Sequence, residues 1–294
     1  MRLLKSFFSA GALAFAVLGL SVFGPLAASA QKITVVNMIP SSMSDDQAEQ
    51  AEANLAIDPA SPAKLAASAF ITNPAKPNKA SIFLSSNSGL SWSLKPILPG
   101  SVGVCPSSFC DVTLRFGGSS GKLYVGALTG KPDPDGDIMV YQIHRIDDLF
   151  GSPAPVLLEE RTGVIPDCPD QPYVQATTTL GGEGADLDRV FVGVNDARPS
   201  RAPQTATVDV NPNAAAVAPA ANLEQEIEAA MPPDPPGRDG SGVRTAFHSS
   251  GVVYAAFYSP TSTDKANIVV VKDNHWGTSS PPFADLGGAA GVSV

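Results

Sequence analysis

The segment VTLRFGGSSGKLYVGAL at residues 112–128 decides the fold that this sequence predicts. Two extended stretches rich in β-branched and aromatic residues flank a Gly/Ser turn, which is the pattern of a β-hairpin. Three further segments repeat this plan, and the four hairpins begin roughly 57, 60 and 70 residues apart. The other three run over residues 55–70, 173–194 and 243–257. Self-similarity at this period indicates one repeated supersecondary unit.

Each hairpin is followed by another strand-like stretch, which brings each repeat towards four strands. These stretches are Ser81–Leu84, Ile138–Ile143, Thr205–Val210 and Ile268–Lys272. A four-stranded antiparallel unit is one blade of a β-propeller, whereas a β-sandwich gives no reason to repeat the same hairpin. We therefore predict an all-β propeller.

The segment Asn222–Met231 differs from this pattern because it is rich in Glu and Ala and precedes a Pro-rich run. We interpret it as a short helix or a loop insertion ahead of the fourth repeat. Its Glu224, Glu226 and Glu228 are then expected on a solvated face.

One short motif connects the repeats to a known family. The segment SSNSGLSW at residues 85–92 resembles the Asp-box of sialidase-like β-propellers, Ser-x-Asp-x-Gly-x-Thr-Trp. The matching positions are Ser85, Asn87, Gly89, Ser91 and Trp92, with Asn in place of Asp and Ser in place of Thr. A short polar side chain caps the turn, Gly adopts a backbone conformation that other residues avoid, and the aromatic ring packs beneath. The box marks a fold and carries no activity by itself.

Other stretches are similar to the same bacterial repeat proteins, and the resemblance covers roughly residues 45–290. They are Ile57–Pro62, Ser250–Tyr254 and Lys272–Gly277. The resemblance implies a propeller with about four blades, at approximately 51–104, 105–165, 166–236 and 237–294. Sialidase propellers close with six blades. The chain is therefore either a small four-bladed ring or an incomplete propeller.

The amino-terminal 30 residues have the pattern of a secretory signal peptide. Arg2 and Lys5 precede an apolar run, and Ala28-Ser29-Ala30 is a small-x-small cleavage pattern that places the mature amino terminus at Gln31. We expect residues 31–50 to form a lead-in strand and linker, and the protein to be secreted or periplasmic. A membrane-spanning helix is disfavoured because Gly and Pro interrupt the apolar run and no second hydrophobic span follows.

Composition narrows the possible partners. The chain carries 19 Lys and Arg against 28 Asp and Glu, for a net charge of −9, and only 16% of its residues are charged. An acidic balance is opposite to the footprint of a protein that binds phosphate backbones, so we do not expect a nucleic acid partner. Low charge together with many Gly and Pro residues disfavours a helix bundle.

The exported protein would carry its three cysteines into an oxidising compartment, where disulfides form. Three cysteines allow at most one intramolecular disulfide. Cys105 and Cys110 bracket a short loop and are the favoured pair. Pairing of Cys168 with either of them stays open.

The sialidase resemblance implies a catalytic set of three arginines, a Tyr–Glu nucleophile pair and an Asp acid/base. Arg115 and Arg244 fall at matching places on the predicted innermost strands, and Asp111, Asp170 and Tyr173 lie at or just before such strands. None of the arginines stands in the Arg-Ile-Pro context of the family. If the chain is a hydrolase, Arg115 and Arg244 would clamp a carboxylate, Tyr173 would be the nucleophile and Asp170 the acid/base.

The same inner-strand positions have a plainer interpretation. Alternation places polar side chains on any inner strand. As ligand-binding candidates at the channel we retain Asp111, Arg115, Asp170 and Arg244.

No cofactor is expected, and calcium is a weak alternative. Asp133, Asp135 and Asp137 stand at alternate positions of a turn, as a hard cation prefers, but the later Glu of a helix-loop-helix calcium site is missing. A solvated turn is the simpler interpretation. Zinc is disfavoured because His144, His248 and His275 are far apart in the sequence.

Three functions are compatible with these observations. The leading hypothesis is an exported sialidase-like propeller that binds a glycan or an extracytoplasmic protein without an assignable catalytic set. The alternatives are an exo-acting sialidase-type glycoside hydrolase and a structural module of a larger exported complex. The oligomeric state and the ligand are not determined by the sequence.

Overall fold

The computed structural model describes residues 34–40, 42, 53–71, 76, 78–101, 103–105, 109–118, 120–165, 167–178, 187–198, 205–227, 242–262, 265–280 and 283. The predicted signal peptide lies outside these residues, as does most of the predicted lead-in segment. Residues 34–40 contain no strand. Within the described part of the chain, no helix has the length and apolarity needed to cross a bilayer.

Among the described residues, fifteen strands form four separate antiparallel sheets, in which each strand pairs with its neighbour in sequence. Blade 1 contains β1 Asn54–Ile57, β2 Leu65–Ser68, β3 Lys79–Ser85 and β4 Ser93–Pro99. Blade 2 contains β5 Asp111–Phe116, β6 Leu123–Lys131, β7 Ile138–Asp147 and β8 Ala154–Val164. Blade 3 contains β9 Pro169–Thr178, β10 Asp188–Asp196, β11 Ala206–Asn211 and β12 Leu223–Glu226. Blade 4 contains β13 Arg244–Phe247, β14 Val253–Ser262 and β15 Lys265–Asp273.

This architecture is a β-propeller, as the repeats predict. The first strands of consecutive blades contact each other, β1 with β5, β5 with β9 and β9 with β13, so these strands surround the axis. In all four blades each predicted hairpin strand and third strand overlaps an observed strand and extends at most two residues beyond it. All four blades belong to one compact unit, residues 36–294.

Three apolar clusters hold consecutive blades together. Along β5, Val112, Leu114 and Phe116 are buried against blade 1, and the residues between them are half-buried. A second cluster joins blade 2 to blade 3, and a third joins blade 3 to blade 4. Because side chains alternate between the two faces of a strand, blades 2 and 3 each pack one face on the preceding blade and the other on the following blade.

The interpretation of residues 222–231 as a helix or loop insertion is wrong where the structure describes them. Leu223–Glu226 form β12, which pairs with β11 as the fourth strand of blade 3. Glu224 is not simply solvated, because its carboxylate lies 3.0 Å from Arg161 and 2.9 Å from Arg198. Long-range pairing has overridden a low local strand propensity.

The favoured disulfide is confirmed. Cys105 and Cys110 are bonded, and their Cα atoms are 4.9 Å apart. Cys168 is buried and lies outside this disulfide.

Candidate functional site

A cavity of about 360 Å³ lies on the axis, where the first strands of the four blades meet. Its volume falls in the range of small-molecule sites, roughly 300–1,000 Å³. It is lined by Ala53, Asn54, Asp111, Val112, Thr113, Gln171, Pro172, Tyr173 and Arg244. Every blade contributes at least one of these residues, so the cavity is a product of the ring arrangement.

Tyr173 is the centre of the polar groups at this cavity. The guanidinium carbon of Arg244 lies 4.8 Å from the centroid of its ring, and that of Arg115 lies 5.5 Å away. Nη2 of Arg115 also donates to the Tyr173 hydroxyl at 3.3 Å, and Gln175 donates to it at 3.4 Å. The two arginines therefore come from blades 2 and 4 and converge on one ring of blade 3.

Hydrogen bonds between blades fix the positions of these strands. Oδ1 of Asn54 accepts from the amide of Leu114 at 2.9 Å and from Nη1 of Arg115 at 3.3 Å. The Thr113 hydroxyl donates to the Pro172 carbonyl at 3.2 Å and accepts from the amide of Val174 at 2.8 Å. These side-chain bonds close the gap between sheets that share no backbone ladder.

Gln171 occupies an unusual backbone conformation at the cavity wall. Its φ of 51° is in the left-handed region, at a point where the pairing of β9 with β10 is irregular. The Asp170 carboxylate supports this turn by accepting from the Gln171 amide at 2.8 Å. A Cβ at Gly242 would overlap the side-chain oxygen of Gln171, so a larger residue there would require the Gln171 side chain to move. Strained backbone of this kind is concentrated at functional sites.

The structure brings together most of the residues that the sequence singled out. Arg115, Tyr173 and Arg244 are in contact, and Asp111 lines the same cavity. Asp170, the predicted acid/base, is not among the lining residues and is engaged with the backbone of Gln171.

No base is placed to activate Tyr173 within the described residues. The hydrogen-bond partners of its hydroxyl there are Arg115 and Gln175, and neither is a carboxylate. Sequence reasoning missed Asn54 and Gln171. The only available signal for them was a polar residue at the start of an inner strand.

The predicted calcium turn has another hydrogen-bonding role. Oδ1 of Asp133 accepts from the amide of Asp135 at 3.0 Å, and Gly136 adopts a φ of 132°. In the described ranges, which include Asp137, no three His, Cys, Asp or Glu side chains are grouped so that they could hold a metal ion.

The Asp-box-like segment forms the turn between β3 and β4. The Ser85 hydroxyl accepts from the amides of Asn87 at 3.4 Å and Gly89 at 2.9 Å. Oδ1 of Asn87 accepts from the amide of Ser91 at 2.9 Å, and Gly89 has a φ of 83°. Trp92 is partly buried against a cluster that contains Phe83. The geometry is that expected for a capped turn.

Blade 4 repeats this turn at the end of β15, in the Lys272–Gly277 stretch that the sequence identified only as a loop similar to those of the repeat proteins. Oδ1 of Asp273 accepts from the amides of His275 at 2.7 Å and Gly277 at 2.8 Å. His275 hydrogen-bonds with the Ser279 hydroxyl at 3.0 Å, as Asn87 does with Ser91. Trp276 and Gly277 have φ values of 57° and 73°. Blades 1 and 4 therefore share one turn built from different residues.

A second polar cluster is buried between blades 2 and 3, away from the axis. Nη1 of Arg161 on β8 lies 2.9 Å from Asp196 and 3.0 Å from Glu224, and Nη2 pairs with Asp209. The Tyr141 hydroxyl donates to Asp209 at 2.6 Å. Burial raises the pKa of Asp209, and Arg161 is the main influence that opposes this rise.

Nearby, Asp188 accepts from the hydroxyl of Tyr124 at 2.7 Å and from the hydroxyls of Ser120 and Thr178. Burial beside this carboxylate raises the pKa of Tyr124 well above its usual range. The tyrosines of blade 2 thus donate to carboxylates of blade 3.

Sequence comparisons do not place the chain in a family. No protein-family model matches it, and no curated protein sequence matches it significantly. The resemblance to sialidase-like proteins therefore stays a prediction.

Solved structures share the fold. One is a mutant alpha-L-arabinofuranosidase from Fusarium graminearum in complex with an iminosugar inhibitor, at a TM-score of 0.50 and 9% identity. The match covers 81% of this chain and 66% of that enzyme. A xylan beta-1,4-xylosidase from Bacillus halodurans is similar at a TM-score of 0.41 and 10% identity, over 81% of this chain and 42% of that one. The chain therefore spans less than two thirds of either enzyme, and the likeness is one of fold.

Proposed function

We propose that this chain is an exported propeller module that binds a carboxylate-bearing sugar unit of a glycan in its axial cavity. The observation that carries the proposal is Arg244, an exposed arginine that lies over the Tyr173 ring inside a concave polar site. An arginine fork is the side chain best matched to a carboxylate, and stacking on an aromatic ring holds it in a single orientation.

The other lining groups suit the hydroxyls of a sugar ring. The Asp111 carboxylate accepts hydrogen bonds, and the side-chain amide of Gln171 offers a donor and an acceptor. The Thr113 hydroxyl donates to the Pro172 carbonyl, so it can offer a sugar only its remaining acceptor lone pair. Together with Arg244 they pair a cationic group with several hydroxyl-binding groups in one small cavity. The fold shared with an arabinofuranosidase, an enzyme that acts on a sugar, is in keeping with this ligand class.

Binding is favoured over hydrolysis by the surroundings of Tyr173. A tyrosine nucleophile needs an adjacent base to take its proton. In the described residues the Tyr173 hydroxyl meets Arg115 and Gln175 instead, and Asp170 lies off the cavity. An exo-sialidase remains the second candidate because the two arginines and the tyrosine converge as that hypothesis requires.

Calorimetric titration with N-acetylneuraminic acid, glucuronic acid and galactose tests the proposal. We expect the two carboxylated sugars to bind and galactose to bind at least tenfold more weakly, since a hydrogen-bonded charge contributes roughly 1.5–3 kcal/mol. Arg244→Ala should remove this preference, whereas Lys95→Ala, on β4, should leave it intact. Equal binding of all three sugars, or no binding, would refute the proposal.

A fluorogenic sialoside separates binding from hydrolysis. Binding without fluorophore release supports the module. Release that is abolished by Tyr173→Phe would make the chain a hydrolase, and the missing base would then have to be sought outside the described residues.

A further inference from the structure

The face of blade 4 that points away from blade 3 is left uncovered by the described residues. Tyr254 is 37% exposed, Tyr258 41% and Ile268 50%. On the opposite side of the same strands, Val253, Ala255 and Phe257 are buried against blade 3. The sheet therefore has one packed face and one open face, and the open face is aromatic and aliphatic.

Corresponding positions in blades 2 and 3 are buried by the next blade. Tyr124 is the second residue of β6, Phe191 lies near the start of β10 and Tyr254 is the second residue of β14. Each pairs with an inner-strand residue, Arg115, Gln175 and Ala246, respectively. Tyr124 and Phe191 are both 0% exposed. Tyr254 thus lies on the face that, in blades 2 and 3, is buried in the interface with the next blade.

Blade 1 presents the complementary kind of face. Leu55 and Ile57 on β1 are 54% and 53% exposed, on the side that points away from blade 2. Two rows of strand residues on this side carry no charge: Leu55, Ala67, Phe83 and Leu94 form one row, and Ile57, Leu65 and Ser85 form the next. Lys79 lies on the same side at the start of β3, outside these rows. Met38 and Ile39 cover the outer part, near Phe83, and leave the β1 part open.

We propose that a second copy of this chain covers these faces, with blade 4 of one copy packed against blade 1 of the other. The contact would continue the interface that joins blades 1 and 2, 2 and 3, and 3 and 4 within one chain. Its two sides are of opposite kind, so the contact is head-to-tail. Tyr is enriched at the centre of protein interfaces, and a polar residue such as Lys272 suits their rim.

Charge favours this pairing over a symmetric one between two copies of blade 4. Among the described side chains, alternation places Lys272 on the outward face of blade 4, in line with Tyr254. Arg244 begins the inner strand of this blade, and its guanidinium stacks on Tyr173 of blade 3. A symmetric contact would therefore bring the two copies of Lys272 onto one shared interface. The uncharged rows of blade 1 impose no such repulsion.

The test is a complementation experiment monitored by sedimentation velocity and light scattering. One variant carries Tyr254→Glu and Tyr258→Glu, and the other carries Leu55→Glu and Ile57→Glu. The wild type should have at least twice the mass of one chain, and each variant alone should be a monomer. A 1:1 mixture should restore a dimer, because one contact between the intact faces remains available.

Matched controls and the opposing outcomes make the test decisive. Leu157→Glu with Val217→Glu places the same charges on exposed apolar positions elsewhere and should not change the mass of the wild-type assembly. If glutamate variants lose their β-sheet circular dichroism, Ser replacements at the same positions repeat the test. A monomeric wild type overturns the proposal, as does a mixture that stays monomeric. Association of the Leu55/Ile57 variant by itself would indicate a symmetric contact through blade 4 instead.

Discussion

Replacing Arg161 by Met is the sharpest test of what holds blades 2 and 3 together. Arg161 pairs with the carboxylates of Glu159, Asp196, Asp209 and Glu224, but the loss falls unequally on these four groups. Asp196 and Glu224 keep Arg198 as a partner, at 2.5 Å and 2.9 Å. Asp209, 1% exposed, loses the one guanidinium paired with it in the described residues and keeps the Tyr141 hydroxyl.

The expected loss in the free energy of unfolding follows from these ion pairs. Removing one partner of a buried ion pair costs roughly 3–5 kcal/mol, because the remaining charge stays buried. Among the described residues, Asp209 is the one fully buried carboxylate that loses its guanidinium, because the Glu159 side chain is partly exposed. Met fills part of the space of the arginine stem, so we expect the lower end of this range, about 3 kcal/mol. That is a large share of a total stability of about 5–15 kcal/mol.

The cost should depend on pH in a defined direction. Burial already raises the pKa of Asp209, and loss of Arg161 raises it further. A carboxyl whose folded pKa exceeds its unfolded value favours the folded state below the unfolded pKa, and this advantage disappears as pH rises through the folded pKa. The deficit of Arg161→Met relative to wild type should therefore be small near pH 4 and grow towards pH 7.

Urea unfolding followed by the fluorescence of Trp92 and Trp276 measures this deficit at each pH. Arg161→Met combined with Asp209→Asn should be more stable than Arg161→Met alone at pH 7, because the uncompensated charge is gone. A loss below about 1 kcal/mol, the size of an exposed pair, would refute the argument. So would a loss that does not change with pH.

Three further predictions use other parts of the chain. Burial lowers the pKa of His144 to about 4; stability should fall as pH drops from about 6.5 to 4, by roughly 3 kcal/mol, and His144→Gln should flatten this part of a urea–pH profile. Ser85→Ala removes an acceptor shared by two amides and should lower the free energy of unfolding, measured by calorimetry, by about 1 kcal/mol. The neighbouring Ser86→Ala should leave it unchanged. The Cys105–Cys110 disulfide closes a short loop, so its reduction should lower the free energy of unfolding by no more than about 2 kcal/mol, to be checked by unfolding with and without a reductant.

The fold was predictable because its signals are local. Alternation of side chains and Gly-rich turns located the hairpins, and their repetition identified blades without any contact information. The convergence of Arg115, Tyr173 and Arg244 followed from the same logic, since equivalent places on inner strands meet at the axis. Wherever residues alternate along a strand, the sequence also predicts which side chains face a neighbouring blade and which do not.

The interblade cluster was not predictable, because its partners lie far apart in the chain. Asp209 stands in the middle of the β-branched strand β11, and Arg161 follows two glutamates on β8. A carboxylate within a buried strand signals that a partner must exist, since an unpaired buried charge is too costly. It does not say which arginine supplies that partner. β12 was missed for a related reason. Its hydrogen-bonding partner is β11 and the ion-pair partner of its Glu224 is on β8, and neither is visible in the local sequence of β12.

The repeated turn shows why matching residue identities underestimates a repeat. In blade 1 a Ser hydroxyl accepts from the amides two and four residues later, and in blade 4 an Asp carboxylate does the same. An Asn and a His then each reach the Ser that ends the turn. What the two turns conserve is the position of each acceptor and the left-handed glycine, not the residue type. The sequence contains this pattern at Asp273–Ser279, so a search for acceptors spaced around glycine would have found it where a search for the Asp-box did not.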